Sequence, residues 1–174
     1  LLGEFGITKS FVEAPAKNKN LTQPSDIFAK SLYYNPSEEQ QISRLESLLQ
    51  PDAFANITQR LADSGMRKGF ACLFYGAPGT GKTETVLQLA RKTGRALMQV
   101  NISTIKDKYV GESEKNIKNL FDRYRQLVES EPIAPILFFN EADAIFNKRS
   151  ENTVRAVDKM ENAIQNIILQ EMET

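Results

Sequence analysis

The run Gly76-Ala77-Pro78-Gly79-Thr80-Gly81-Lys82-Thr83 sets three glycines, a cation and a hydroxyl at the spacing that a bound polyphosphate demands. Gly76, Gly79 and Gly81 can take positive φ and let phosphate oxygens approach the backbone, so the N–H groups of the loop can turn inward. Pro78 stiffens the turn between them. The Lys82 ammonium can then reach the β- and γ-phosphate oxygens, and the Thr83 hydroxyl can ligate Mg²⁺. A helix expected over about 82–93 adds the positive end of its dipole beneath the loop. A lone Gly-Lys-Thr would be weak evidence, since a glycine-rich turn can bind nothing. Here all four fixed positions lie between the apolar stretch Phe70 to Tyr75, read as a buried strand, and that helix.

Such a loop implies a second strand that ends in oxygen ligands opposite the phosphates. Pro135-Ile136-Leu137-Phe138-Phe139 is a continuous apolar run of the kind buried on both faces, and Asn140-Glu141-Ala142-Asp143 follows it. Most enzymes with this loop carry aspartate where this chain has Asn140. An amide offers one acceptor oxygen and no charge, so metal held by Thr83 and Asn140 is expected to bind more weakly without being lost. Glu141 is the catalytic candidate, because a carboxylate just beyond the strand can orient and polarise a water for attack on the γ-phosphate. The plainer alternative for Glu141 is a solvated acid opening a loop. Asp143 is read as a local cap or turn residue.

The elements that must position these groups are legible as alternating strands and helices. Ser37 with Gln40 suggests a capping box opening a helix that carries Ile42, Leu45, Leu48 and Leu49 on one stripe and ends near Gln50. Pro51-Asp52 restarts the chain into a second helix, roughly 53–64, closed by Gly65, and Gly94 suits a left-handed cap after the loop's own helix. Ala96 to Asn101 reads as a short buried strand. Ile117, Leu120, Phe121, Tyr124, Leu127 and Val128 mark a helix over about 114–129. Met160, Ala163, Ile164, Ile167, Ile168 and Met172 form the apolar face of a last helix. The expected fold is α/β: a three-layer P-loop arrangement with a parallel sheet and helices on both faces, preceded by a mainly helical N-terminal segment. Residues 1–50 are expected to be an accessory segment or linker and 51–174 the nucleotide-binding core. A start at Leu1, and a helix still in progress at the other end with no strand after it, suggest a piece of a longer chain that stops before the sheet's last strands.

With 174 residues, 41% hydrophobic and 25% charged, the chain can bury one good core. Its 22 basic and 22 acidic residues cancel, which gives no indication of nucleic acid or an anionic membrane surface as partner. No histidine is present, which removes histidine-based catalysis and makes a zinc site untenable. Cys72, the single cysteine, allows no internal disulfide and is expected to be a buried thiol in the first strand. No apolar run approaches a membrane span and no secretory signal is visible, so a cytoplasmic location is the default expectation.

Taken together, these residues resemble the AAA family, the ATPases associated with diverse cellular activities, over roughly 51–174. Three parts carry the resemblance in order: Gly76 to Thr83, Lys108-Tyr109-Val110-Gly111-Glu112-Ser113-Glu114-Lys115, and Phe138-Phe139-Asn140-Glu141-Ala142-Asp143-Ala144-Ile145. The middle part discriminates best, since many phosphate-loop enzymes share the other two. Within the family the chain is similar to an uncharacterised bacterial subgroup. The resemblance implies ATP and Mg²⁺ as cofactors, a homo-oligomer in the form of a hexameric ring, and a protein substrate in its central pore. Lys108, Tyr109 and Val110 would then lie on a pore loop, where an exposed aromatic ring can grip an unfolded segment without reading its sequence. The plainer reading of Tyr109 is a ring packed on its own domain. Family features expected beyond residue 174 are a polar residue on a later strand, an arginine reaching the neighbour's γ-phosphate, and a helical lid.

The leading functional expectation is Mg²⁺-dependent ATP hydrolysis by a ring-forming ATPase that remodels or threads a protein. The rival is a nucleotide-gated binding module or switch with little hydrolysis, because of Asn140. A small-molecule kinase is disfavoured, since the segment from Lys108 to Lys115 has no clear purpose in one.

Overall fold

The computed structural model describes residues 21–102, 113–144, 162 and 165–171. It places a three-stranded sheet between two helical layers. The strands are β1 (Leu21–Thr22), β2 (Leu97–Asn101) and β3 (Ile136–Asn140), and the helices are α1 (Pro36–Leu49), α2 (Pro51–Asp63), α3 (Lys82–Lys92) and α4 (Ser113–Ser130), with a further helical stretch over 165–171. β2 and β3 run parallel with Leu97 opposite Ile136 and Asn101 opposite Asn140, while the two-residue β1 adds an antiparallel edge to β2.

Alternation along β3 divides the core in two, because successive side chains of a strand point to opposite faces. Leu137 and Phe139 join Ile102, the α4 residues Ile117 and Phe121, and Ile167 and Ile168 of the last helical stretch. Ile136 and Phe138 face the other way, toward Leu97, Ile27 and the α3 residues Val86 and Ala90. Helices therefore cover both faces of a parallel pair, as the strand–helix alternation predicts. All five β3 positions are half-buried rather than sealed, since β2 is the neighbour hydrogen-bonded to that strand among the described residues.

Helix ends follow their punctuation. Pro51 occupies the first turn of α2, and the chain closes that helix with Gly65 at φ 67° and a bond from Met66 N–H to the Leu61 carbonyl. Gly94 at φ 66° closes α3 in the same way, with Arg95 N–H bonded to the Ala90 carbonyl. The capping box expected at Ser37 does not form. Pro36 begins α1 behind Asn35, and the Ser37 hydroxyl donates to Glu38 instead.

Two further expectations fail at Phe70 to Tyr75. That stretch pairs with no strand among the described residues; Leu73 is 77% and Tyr75 88% exposed, and Phe74 alone of the six packs against the core. Apolar content predicts burial but cannot supply the neighbouring edge a strand must bond to. Cys72, in the same stretch, is exposed rather than buried. Val128, assigned to the apolar stripe of α4, is also 40% exposed, whereas its neighbour Leu127 is buried.

A buried cation ties α1 and α2 to this core. Arg95 is 2% exposed, and its guanidinium donates to the carbonyls of Leu49 and Ala134 at 2.8 and 2.6 Å. Its Cζ also lies 4.3 Å from the centroid of the Phe54 ring. Among the described residues no helix is long and apolar enough to cross a membrane.

Candidate functional site

The candidate phosphate loop, Gly76 to Thr83, begins where the stretch Phe70 to Tyr75 ends, and its last two residues open α3. Gly79 and Gly81 hold φ of 76° and 87°, conformations that L side chains rarely adopt, and a Cβ built on either would meet nothing within 4 Å. The loop is thus kept open by backbone conformation, with space beside it for a ligand. Residues 76–80 are exposed and 81–83 half-buried. Thr80 Oγ1 donates to the Ala77 carbonyl at 2.9 Å and braces the turn. The Lys82 ammonium curls back over the loop, donating to the carbonyls of Gly76 at 2.9 Å and Ala77 at 2.7 Å. It thereby holds its charge at the mouth of the cradle.

Folding brings the second half of the site to this loop. Thr83 Oγ1 donates to Asn140 Oδ1 at 3.4 Å, linking the first turn of α3 to the last residue of β3. Glu141 follows with φ 57°, the only non-glycine residue with positive φ among the described residues, and its side chain is exposed. A left-handed glutamate costs of order 1 kcal/mol or more, and such positions cluster where a side chain must be aimed. The turn breaks the strand sharply and swings residue 141 out of the sheet. Asp143 lies in the short 3₁₀ turn Ala142–Ala144 and is exposed, in keeping with a local turn role.

The donor set fits a magnesium nucleotide better than a free metal ion. No group of three or more acidic or cysteine side chains converges among the described residues. Mg²⁺ ordinarily takes one or two protein oxygens and completes its shell with phosphates and water. The Thr83 hydroxyl and the Asn140 carbonyl oxygen are the residues that could hold it here, with Glu141 beside them.

The structure also supplies neighbours that sequence reasoning missed. Residues 23–34 form a strap along α3, with Ile27 buried in the core beneath it. Gln88 accepts from Lys30 N–H and donates to the Phe28 carbonyl at 2.8 Å, and Lys30 Nζ meets Glu84 at 2.6 Å. Tyr34 and Thr85 share a hydrogen bond of 3.0 Å, and Thr85 in turn donates to the Gly81 carbonyl within the loop. The Lys30 ammonium, then the Gln88 amide, hold the Glu84 carboxyl below its ordinary range. The contacts between the strap and α3 join residues more than fifty positions apart, so no local period announces them; the one available signal was Gln88, a polar residue among the buried positions of α3.

An open surface depression of about 630 Å³ is lined by Pro24, Ser25, Ile27, Phe28, Ala29, Arg91 and Lys92. It includes no residue of the phosphate loop and lies against the last turn of α3 rather than its first. Lys108, Tyr109 and Val110 lie outside the described residues.

Comparison with known proteins bears on the same region. The family model "ATPase family associated with various cellular activities (AAA)" matches residues 72–174. The chain is 36% identical over 89 residues to the ATPase family gene 2 protein homolog B of Bos taurus, covering 51% of this chain and 11% of that protein. It is 34% identical over 118 residues to the peroxisomal ATPase PEX1 of Arthrobotrys oligospora, covering 68% of this chain and 9% of that protein. With the 26S proteasome regulatory subunit 7 of Dictyostelium discoideum it shares 32% identity over 123 residues, covering 71% of this chain and 26% of that protein. The match thus spans about a tenth of the length of the first two relatives and about a quarter of the third.

Proposed function

The chain belongs to the AAA family of ATPases, and from that premise we propose that it binds ATP and, within a longer ring-forming protein, hydrolyses it with Mg²⁺ to remodel or thread a protein substrate. The observation that carries this reading is the meeting of Thr83 with Asn140, which sets the open phosphate loop against the end of β3 and its following glutamate. We assign residues 51–174 to the nucleotide-binding core. Residues 1–50 are an accessory segment whose described part is fastened to that core through Ile27, Lys30 and Tyr34.

Each residue has a part in the mechanism. The backbone N–H groups of Gly76, Ala77, Gly79, Thr80 and Gly81 cradle the phosphates, Pro78 stiffens the turn between them, and the α3 dipole favours the phosphate charge. Lys82 leaves its two carbonyl partners to pair with the β- and γ-phosphate oxygens and so neutralises charge that builds up during in-line attack. Thr83 and Asn140 are the residues that would hold Mg²⁺, which would supply further neutralisation of the phosphate oxygens. Glu141, turned out of the strand, orients a water and takes its proton as the water attacks the γ-phosphate. Lys108, Tyr109 and Val110 supply the substrate grip of the pore loop, and neighbouring copies complete the ring. These last roles rest on family membership.

Asn140 keeps a second reading in view: a switch that changes shape on binding ATP and barely turns it over. Mg²⁺-dependent ATP turnover by the full-length protein, beside its Asn140→Asp form, separates the two. Turnover in the native protein supports the ATPase. Tight ATP binding with turnover only in Asn140→Asp supports the switch.

A further inference from the structure

Residue 140 stands where its charge matters most. Its side-chain oxygen meets the hydroxyl of Thr83, the residue that follows Lys82, at 3.4 Å at the foot of the open loop. Its partner in the sheet register is Asn101, so the ends of β2 and β3 both present amides. Of the nearby acids, Glu84 is paired with Lys30 at 2.6 Å and Asp143 is exposed in the turn beyond, while Glu141 stands beside the site whichever residue occupies position 140.

A carboxylate at position 140 would set a full negative charge against the terminal phosphates of ATP. Without a divalent cation between them the two would repel, and nucleotide would load well only as the metal complex. An amide of the same shape removes that repulsion, and its Nδ2 can donate where a carboxylate can only accept. We infer that Asn140 uncouples nucleotide loading from divalent metal: this site takes metal-free ATP nearly as well as magnesium-bound ATP, so that metal is needed for chemistry and not for binding. The inference rests on the phosphate-site reading above.

The test is the ATP dissociation constant of the full-length protein, measured by titration calorimetry in excess EDTA and in excess Mg²⁺, for the native protein and for Asn140→Asp and Asn140→Ala. The native protein and Asn140→Ala should show constants that differ by less than about threefold between the two conditions, and Asn140→Asp a loss of roughly tenfold or more in EDTA. Equal metal dependence in native and Asn140→Asp proteins, with both binding in Mg²⁺, overturns this inference and leaves the phosphate site standing. Asn140→Ala behaving like Asn140→Asp also overturns it, because charge would then not be the cause. Failure of the native protein to bind ATP in either condition removes the phosphate-site reading, and this inference with it.

Discussion

The Thr83 hydroxyl and the Asn140 carboxamide, 57 positions apart in the chain, meet at 3.4 Å and join the first turn of α3 to the end of β3. That hydrogen bond is longer than an ordinary hydroxyl bond and therefore weak. Both oxygens can turn to a metal at little cost. The contact thus does more to locate the two halves of the site than to lock them.

Glu141 should be separable from binding. Glu141→Gln keeps the shape of the side chain and an acceptor oxygen but cannot take a proton. ATP turnover by the full-length protein is expected to fall by roughly 10²- to 10⁴-fold with ATP affinity unchanged. Steady-state turnover read beside a binding titration checks this, and equal turnover in the two proteins would remove Glu141 from the mechanism.

Arg95 is expected to matter for stability rather than for nucleotide binding. Its removal in Arg95→Ala leaves the carbonyls of the half-buried Leu49 and Ala134 without their donor and takes the guanidinium from the Phe54 ring. A loss of about 2–4 kcal/mol is expected, from lost packing and one or two unsatisfied acceptors. Arg95→Lys should recover only part of it, since an ammonium cannot reproduce the planar two-donor geometry. Denaturant unfolding of the three proteins gives the comparison.

The strap makes a prediction about acid. Lys30 and then Gln88 lower the Glu84 carboxyl in the folded protein from its ordinary value of 4.5. Between the depressed folded value and 4.5 the unfolded chain binds the extra proton, so stability rises with pH across that window and is lost as pH falls through it. The Lys30 side chain is 57% exposed and that of Glu84 21%, so the pair is open to solvent on the lysine side and its contribution is small and screened by salt. Lys30→Met should flatten the melting temperature against pH below about 4.5 relative to the native protein, and an unchanged slope would show that the strap lysine does not set it.

The glycine-rich turn before α3 could be read from the sequence because Gly79 and Gly81 accept the positive φ they adopt, and Gly65 and Gly94 could be read as caps for the same reason. The β2 strand and the α4 helix followed from periodicity within a residue or two. Phe70 to Tyr75 did not, because a strand needs a neighbour as well as apolar side chains, and no run of residues states which edge is nearby. The strap was illegible for a related reason: Lys30 with Glu84 and Tyr34 with Thr85 are long-range pairs within a stretch that has no period. Asn140 and Glu141 were legible as residue types, whereas the left-handed turn that separates their directions was not.

The central claim is that Gly76 to Thr83 binds the phosphates of ATP. Its most direct test is an ATP titration of the protein beside Lys82→Ala, with folding of both verified by circular dichroism. Removal of one charge-assisted phosphate contact should weaken binding by roughly ten- to a hundredfold. Equal affinity in the two proteins, or no ATP binding by the native one, would contradict the account.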